Sequence, residues 1–289
     1  MPRYLNISGY TGQYKNVGAI NNKGLEISLN ADVIRTSKFQ WTSDFNIGFN
    51  RNRVTELYGG KPELKGLKRL EEGRDMDEWY LREWAGVDPA NGSPLWYTTD
   101  ENGKRTTTDS YNKADRVYCG SAAPKFTGGW MNSFSYKGFT LTANFDFVYG
   151  NLLYNQSREL LDSDGAYADY NSMKLKSGWK RWEKEGDIAT HPKAINGGNK
   201  NSNKSSSRYL EKGNYFSLRN LSLGYSIPEK LCGKLGLQRV NVSCSADNLF
   251  TLTPFSGVSP QLSDSSTDGY AGTIYPLSRR IVLGLNVSF

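Results

Sequence analysis

The chain has 289 residues, a formal charge of +7 and a mean hydropathy of -0.63. Its apolar runs are only a few residues long, which excludes membrane-spanning helices. Its basic residues are scattered, and the densest groups, at 61–74 and 174–184, fall in polar stretches; they read as solvated loop faces and not as a nucleic-acid interface.

Taken in chain order, seven segments alternate apolar and polar residues with the period of a strand. Leu25, Ile27, Leu29, Ala31 and Val33 oppose Glu26, Ser28, Asn30 and Asp32. Phe39, Trp41, Phe45, Ile47 and Phe49 oppose Gln40, Thr42, Asp44, Asn46 and Asn50, with Ser43 as the one polar residue on the apolar side. Trp130, Phe134 and Tyr136 oppose Thr127, Gly129, Ser133 and Ser135. Phe139, Leu141, Ala143, Phe145, Phe147 and Tyr149 oppose Thr140, Thr142, Asn144 and Asp146, the cleanest case. Leu221, Leu223, Tyr225 and Ile227 face away from Asn220, Ser222, Gly224 and Ser226; Val240, Val242, Cys244 and Ala246 face away from Asn241, Ser243, Ser245 and Asp247. The last nine residues set Ile281, Leu283, Leu285, Val287 and Phe289 against Gly284, Asn286 and Ser288, ending on an aromatic residue.

Each segment has the length a tilted strand needs to cross a bilayer with one face toward lipid and one toward a wet interior. In hydrocarbon every backbone polar group needs an internal partner, so such strands imply a closed barrel. The fold class expected is all-β, an antiparallel transmembrane β-barrel with long extracellular loops. The links between strands are very unequal. Those at 35–38, 137–138 and 228–239 are short, whereas polar stretches of roughly 70, 65 and 30 residues separate the other pairs, far beyond ordinary loop lengths. Short turns on one side and long loops on the other is the habit of outer-membrane barrels, and it places the carboxy terminus in the periplasm. Trp41, Tyr136 and Phe139 beside the tight turns, and Phe49 and Tyr149 at the opposite ends, suit two interfacial girdles. Within the first long stretch, 79–85 and 94–98 are short strand candidates around the turn Asp88-Pro89-Ala90-Asn91-Gly92; whether they cross the membrane or form an external hairpin is open.

No catalytic or metal constellation stands out. His191 is the single histidine, beside Pro192 in a polar loop, and is expected to be exposed. Glu71, Glu72, Asp75 and Asp77 read as a solvated cluster. Asp100, Asn102 and Asp109 imitate the oxygen spacing of a calcium loop, but Thr98 and Asp109 replace its first and closing ligands, and an Asn102-Gly103 turn is the simpler reading. Cys119, Cys232 and Cys244 would lie at depths too different for a disulfide and are expected to be free thiols.

These residues resemble the SusC/RagA group of TonB-dependent outer-membrane receptors of Bacteroidetes. The likeness lies in Asn16-Val17-Gly18-Ala19-Ile20-Asn21-Asn22-Lys23-Gly24-Leu25-Glu26, in Phe39-Gln40-Trp41-Thr42-Ser43-Asp44-Phe45-Asn46 followed by Asn52, Val54 and Leu57, and in the loop Ala85-Gly86-Val87-Asp88-Pro89 with Asn91, Gly92 and Pro94-Leu95-Trp96-Tyr97. It continues in Tyr215-Phe216-Ser217-Leu218-Arg219-Asn220-Leu221-Ser222-Leu223-Gly224-Tyr225-Ser226-Ile227-Pro228, in Asp247-Asn248-Leu249-Phe250-Thr251 and in Tyr275-Pro276-Leu277-Ser278-Arg279.

The resemblance implies a transporter of about 22 strands with an amino-terminal plug, importing oligosaccharides or peptides with a SusD-like surface lipoprotein as lid and energy from TonB. Against it, residues 1–289 are expected to be the carboxy-terminal seven to nine strands of that barrel, with no plug domain and no signal peptide at Met1-Pro2-Arg3-Tyr4-Leu5-Asn6. Asp44, Asn46, Asn144 and Asp146 would then face the lumen. Trp96, Tyr97, Tyr154, Tyr167, Trp179 and Trp182 would offer rings to ligand or lid, or else simply pack the loops. Leu283, Leu285, Val287 and Phe289 would form the signal read by barrel-assembly machinery. No cofactor and no enzymatic activity are expected. A soluble carbohydrate-binding β module, a remnant of a truncated receptor gene and an outer-membrane hydrolase using His191 are the other readings.

Overall fold

The computed structural model describes residues 18–262, 269–272 and 274–289. Asn16 and Val17 of the first family-like stretch, and the leader reading at residues 1–6, lie outside the described residues.

Seven strands form one antiparallel sheet in which neighbours in the chain are neighbours in space: β1 (Ala19–Arg35), β2 (Phe39–Glu56), β3 (Phe126–Tyr136), β4 (Phe139–Tyr149), β5 (Tyr215–Ser226), β6 (Arg239–Leu252) and β7 (Arg280–Ser288). Each matches one of the alternating segments, because period-two patterning fixes which residues share a face and register then follows. One face carries apolar rows, such as Leu29, Phe45, Trp130, Phe145, Leu218 and Phe250, side by side across six strands. The other carries hydroxyl, amide and charged rows. β1 and β7 are the open edges of this wall.

Two bulges change face assignments that strict alternation gives. Between Asp32 and Ile34 the register of β1 slips, so Ile34 and not Val33 stands opposite Trp41 on the apolar side. In β5, Leu218 pairs with Phe145 and Asn220 with Asn144, which leaves Arg219 as an extra residue and flips the apolar parity from even to odd numbers along the strand.

The short links sit together at one end of the wall. At Lys137 and Gly138 both residues adopt positive φ, 47° and 87°, as a two-residue hairpin turn requires. Thr36 closes the first turn, its hydroxyl accepting from Phe39 N at 2.9 Å and donating to Phe39 O at 2.8 Å. The link between β5 and β6 holds a short helix, Glu229–Lys234, that buries Cys232.

All three long links gather at the opposite end and fold into a cap of three small sheets. The candidates at 79–98 belong to it: Glu78–Arg82 pairs with Lys68–Leu70 and Arg116–Ser121, while Trp84–Val87 and Pro94–Thr99 form a hairpin extended by Arg105–Thr108, and none joins the wall. The cap has its own core of Trp79, Leu81, Ala122, Tyr154 and Tyr209. No described helix is long and apolar enough to cross a membrane.

Folding of the cap corrects two expectations of solvated charge. Within 61–74, Lys68 is 2% exposed, bonds Asp77 at 2.6 Å and lies over the Trp79 ring. Of the carboxylates read as solvated, Glu71 accepts the Tyr118 hydroxyl and Asp75 that of Ser121. His191 is likewise not exposed; it is 1% accessible.

Candidate functional site: the polar wall and its cap

One row of the polar face crosses all seven strands: Asn30, Asp44, Met131, Asn144, Asn220, Asp247 and Arg280 stand side by side in register. Asn30 donates to Asp44, and Asp247 receives Asn220 Nδ2 at 2.7 Å and Arg280 Nε at 2.8 Å. The next row toward the cap contains Ser28, Asn46, Gly129, Asp146, Ser217 and Thr251. Here Asn46 accepts the Gly129 N–H at 3.0 Å and Asp146 accepts the Tyr215 hydroxyl at 3.0 Å, with the bulged Arg219 at 3.6 Å. Asp44, Asn46, Asn144 and Asp146 therefore share one polar face of the sheet.

Three separate sequence pieces converge on this face. The Arg219 bulge, Asp247-Asn248 and Ser278 to Arg280 meet around Asp247, where Asn248 takes a positive φ of 53° and donates to Ser278 O at 3.0 Å. Left-handed backbone suits asparagine better than most residues. Chemically, the face offers amides, hydroxyls and paired charges in a repeating array, able to exchange hydrogen bonds with a polar chain passing along it.

Above the wall, the link 150–214 buries a charge network. Asp162 receives Arg158 at 2.9 Å, Arg208 at 3.3 Å and His191 Nε2 at 3.0 Å; Asp164 receives Arg181 at 2.6 Å, Ser202 at 2.7 Å and Arg208. Arg158 also reaches Glu211 at 3.0 Å. Burial would raise the Asp162 carboxyl, but the His191 hydrogen bond and the charges of Arg208 and Arg158 outweigh it and hold it at about 2. The ordered contact from Thr190 Oγ1 to His191 Nδ1, 2.8 Å, and on to Asp162 has the connectivity of a hydroxyl, imidazole and carboxylate relay. However, Thr190 Oγ1 is already held by both backbone groups of Lys180, and Asp162 is shared with three arginines, Arg158, Arg208 and Arg181, so the arrangement serves as a strut.

The loop aromatics divide by burial. Trp96 and Tyr154 are fully buried and Trp182 is 8% exposed, so these three pack the cap and are withdrawn from ligand or lid, a correction to the first of the two readings above. Trp182 donates to Pro89 O at 3.0 Å and lies against Gly92, whose φ of 75° leaves no room for a side chain: a Cβ there would come within 2.5 Å of the Trp182 ring. The Asp88 to Gly92 turn is thus a clamp seat. Tyr97 is half-buried under the Arg105 guanidinium, and Trp179 packs at a tilt against the His191 ring and under the Arg158 guanidinium. Tyr167 remains exposed, bonded to Asn203 and edge-on to Tyr170.

The calcium-like spacing has another explanation. Asp100 Oδ1 accepts from the N–H groups of Asn102 and Lys104, a local turn, and Asp109 is paired with Lys200 from the second loop. Among the described residues no three potential ligands cluster. All three cysteines are free; burial pushes the Cys119 thiol up to about 11. Sequence reasoning missed Arg219, Arg280 and Tyr215 on the wall and the whole Asp162 network.

No family model matches the chain. It is 29% identical over 325 residues to a TonB-dependent receptor of Formosa agariphila, covering 100% of this chain and 30% of the relative, and 23% identical to the TonB-dependent receptor SusC of Bacteroides thetaiotaomicron, covering 95% and 27%. Among solved structures, the RagAB peptide transporter aligns with 99% of this chain and 31% of its own, at 27% identity and a TM-score of 0.82. The chain is similar to receptors of the SusC/RagA type over nearly its whole length. It spans about 30% of the length of the relatives it matches. Its seven-stranded sheet corresponds to barrel wall in those relatives, and in an outer-membrane barrel apolar rows face lipid while polar rows face the interior. At the open edge, Leu283, Leu285 and Val287 lie on the apolar face of β7, with Leu283 80% and the terminal Phe289 84% exposed.

Proposed function

We propose that these residues form the carboxy-terminal wall and part of the external cap of a receptor that imports a polar oligomer, an oligosaccharide or a peptide, in a TonB-dependent manner. The inward band from Asn30 to Arg280 carries the reading, since six of its seven residues, all but Met131, bear amide, carboxylate or guanidinium groups, and Asn30 with Asp44 and Asn220 and Arg280 with Asp247 bond side chain to side chain. A polar oligomer exchanges such bonds one at a time along a path. A SusD-like lipoprotein is the partner expected over the mouth, and the long-loop end, with Tyr167 exposed and Tyr97 and Trp179 half-buried, is the end it would meet. The carboxy terminus then lies in the periplasm and Phe289 serves the assembly machinery. The outward apolar face argues against a soluble module: Leu25, Leu29 and Leu285 are 59%, 60% and 70% exposed, a surface no water-borne domain would carry over so many rows.

The test is depletion of substrate from the medium by cells with and without the gene. Mixed peptides and mixed oligosaccharides too large for porins are supplied together. Loss of uptake of one class on deletion supports the reading and names the class; equal depletion of both by both strains contradicts it.

A further inference from the structure

Just beyond the outward aromatic girdle at the cap end lies a cluster of cations that form no ion pair among the described residues. Phe49, Phe126 and Tyr149 form the girdle, with ring centroids 5.9 Å and 5.1 Å apart. One step further from the membrane on the same face, Lys23 stands directly opposite Arg51, and Arg53 opposite Asn21. Like charges facing each other across a strand pair are unfavourable unless something anionic sits between them. None of Lys23, Arg51, Arg53 and Lys125 has a carboxylate within ion-pair distance among the described residues, and all four are exposed. The even-numbered neighbours Asn52 and Val54 turn the other way, into the cap, which fixes the odd-numbered arginines as outward.

The position of Lys125 is built. Its backbone N–H bonds Tyr149 O at 2.9 Å, and its aliphatic stem crosses Gly150, where a Cβ would meet it at 2.5 Å. A cleft of about 860 Å³ opens between strand tops and cap, and Phe49, Phe126, Arg51, Arg53 and Lys125 all contribute to its lining. Two carboxylates also line it: Glu78 pairs with Arg74 at 3.1 Å, and Asp75 accepts the Ser121 hydroxyl and the Asp77 N–H without lying within ion-pair distance of Arg51, Arg53 or Lys125.

We infer that this surface binds the phosphate of a membrane lipid headgroup, the acyl chains lying on the aromatic girdle and the phosphate against Arg51, Arg53 and Lys125. The occupant is a lipid and not free phosphate because the cations and the apolar girdle form one amphiphilic surface at the membrane boundary. The inference rests on the outer-membrane reading of the wall and is independent of the substrate.

The receptor purified from outer membranes in non-ionic detergent is the test material. Phosphorus extracted with lipid per protein is measured, then binding of lipid A with and without its phosphate, with inorganic phosphate as competitor. Unmodified protein and a charge-keeping variant, Arg51→Lys with Arg53→Lys and Lys125→Arg, are expected to retain phosphorylated lipid. Arg51→Gln with Arg53→Gln and Lys125→Gln is expected to weaken it on the order of 100-fold. Retained heat-modifiability on gels shows that each variant is folded. Equal retention in all three proteins, equal affinity for dephosphorylated lipid, or displacement by millimolar inorganic phosphate would each overturn the inference. Unchanged substrate uptake in the glutamine variant separates this result from the transport reading.

Discussion

Trp41 donates its indole N–H to the side-chain oxygen of Asn132, 3.1 Å away on the outward face of the β2–β3 pair. Diagonally across the same square, Trp130 donates to Ser43 Oγ at 2.9 Å, and Ser43 stands directly opposite Asn132. The one apparent flaw in the apolar pattern of β2 is thus half of a reciprocal device. Each of the two polar side chains on the apolar face thus accepts a hydrogen bond from an indole, which lowers the cost of placing it there.

Removing one partner leaves the other unpaired. Asn132→Ala is expected to cost about 1 kcal/mol of wall stability, and Trp41→Phe to add little once Asn132 is gone. A double-mutant cycle by urea unfolding in detergent micelles checks this. Additive losses would show that the two groups do not interact.

Gly92→Ala forces a positive-φ residue to carry a Cβ into the Trp182 ring. A destabilisation of more than about 1 kcal/mol is expected, confined to the cap. Limited proteolysis should cut faster in 180–199 while the wall stays resistant, and Trp182→Ala should give the same pattern.

Acid should loosen the cap in a defined window. The folded-state pKa of Asp162 is depressed, at about 2, against about 3.9 when unfolded. Its contribution is therefore fully present above about pH 4 and lost as pH falls toward 2, about 3 kcal/mol in all. Hydrogen exchange of 158–211 should rise across that window. Asp162→Asn should abolish the pH dependence and, by leaving Arg158 and Arg208 undercompensated, destabilise the cap at neutral pH by about 3 kcal/mol.

On the wall, Arg280 pairs with Asp247 but is 73% exposed at the side chain. Arg280→Gln should change stability by less than about 1 kcal/mol. If the inward band guides a polar oligomer, uptake should nonetheless fall, and the outward Leu283→Val control should not change it.

The wall was legible in the sequence because period two survives in every strand, and registers follow once one face is apolar. The exceptions are physical. The bulges at Val33 and Arg219 each insert one residue, which alternation alone cannot reveal. Little in the sequence told of the cap's fold, since its strands are as short as Glu63–Lys65 and its stability comes from pairs such as His191 with Asp162, 29 residues apart in the chain. Burial of His191 had no local signature; beside Pro192, in a polar run, it reads as surface. The clamp seat at Asp88 to Gly92 was half legible: its turn chemistry pointed to a turn, but the ring that fills the space over Gly92 comes from Trp182.

The central claim is that β4 and its neighbours cross a bilayer with odd-numbered residues toward lipid. A nitroxide scan of residues 139 to 149, in receptor lacking Cys119, Cys232 and Cys244 and reconstituted in vesicles, tests it most directly. The account predicts that odd positions from Phe139 to Phe147 are quenched by oxygen and even positions from Thr140 to Asp146 by a water-soluble nickel complex. Access of the nickel complex to both sets, or an alternation of opposite phase, would contradict it.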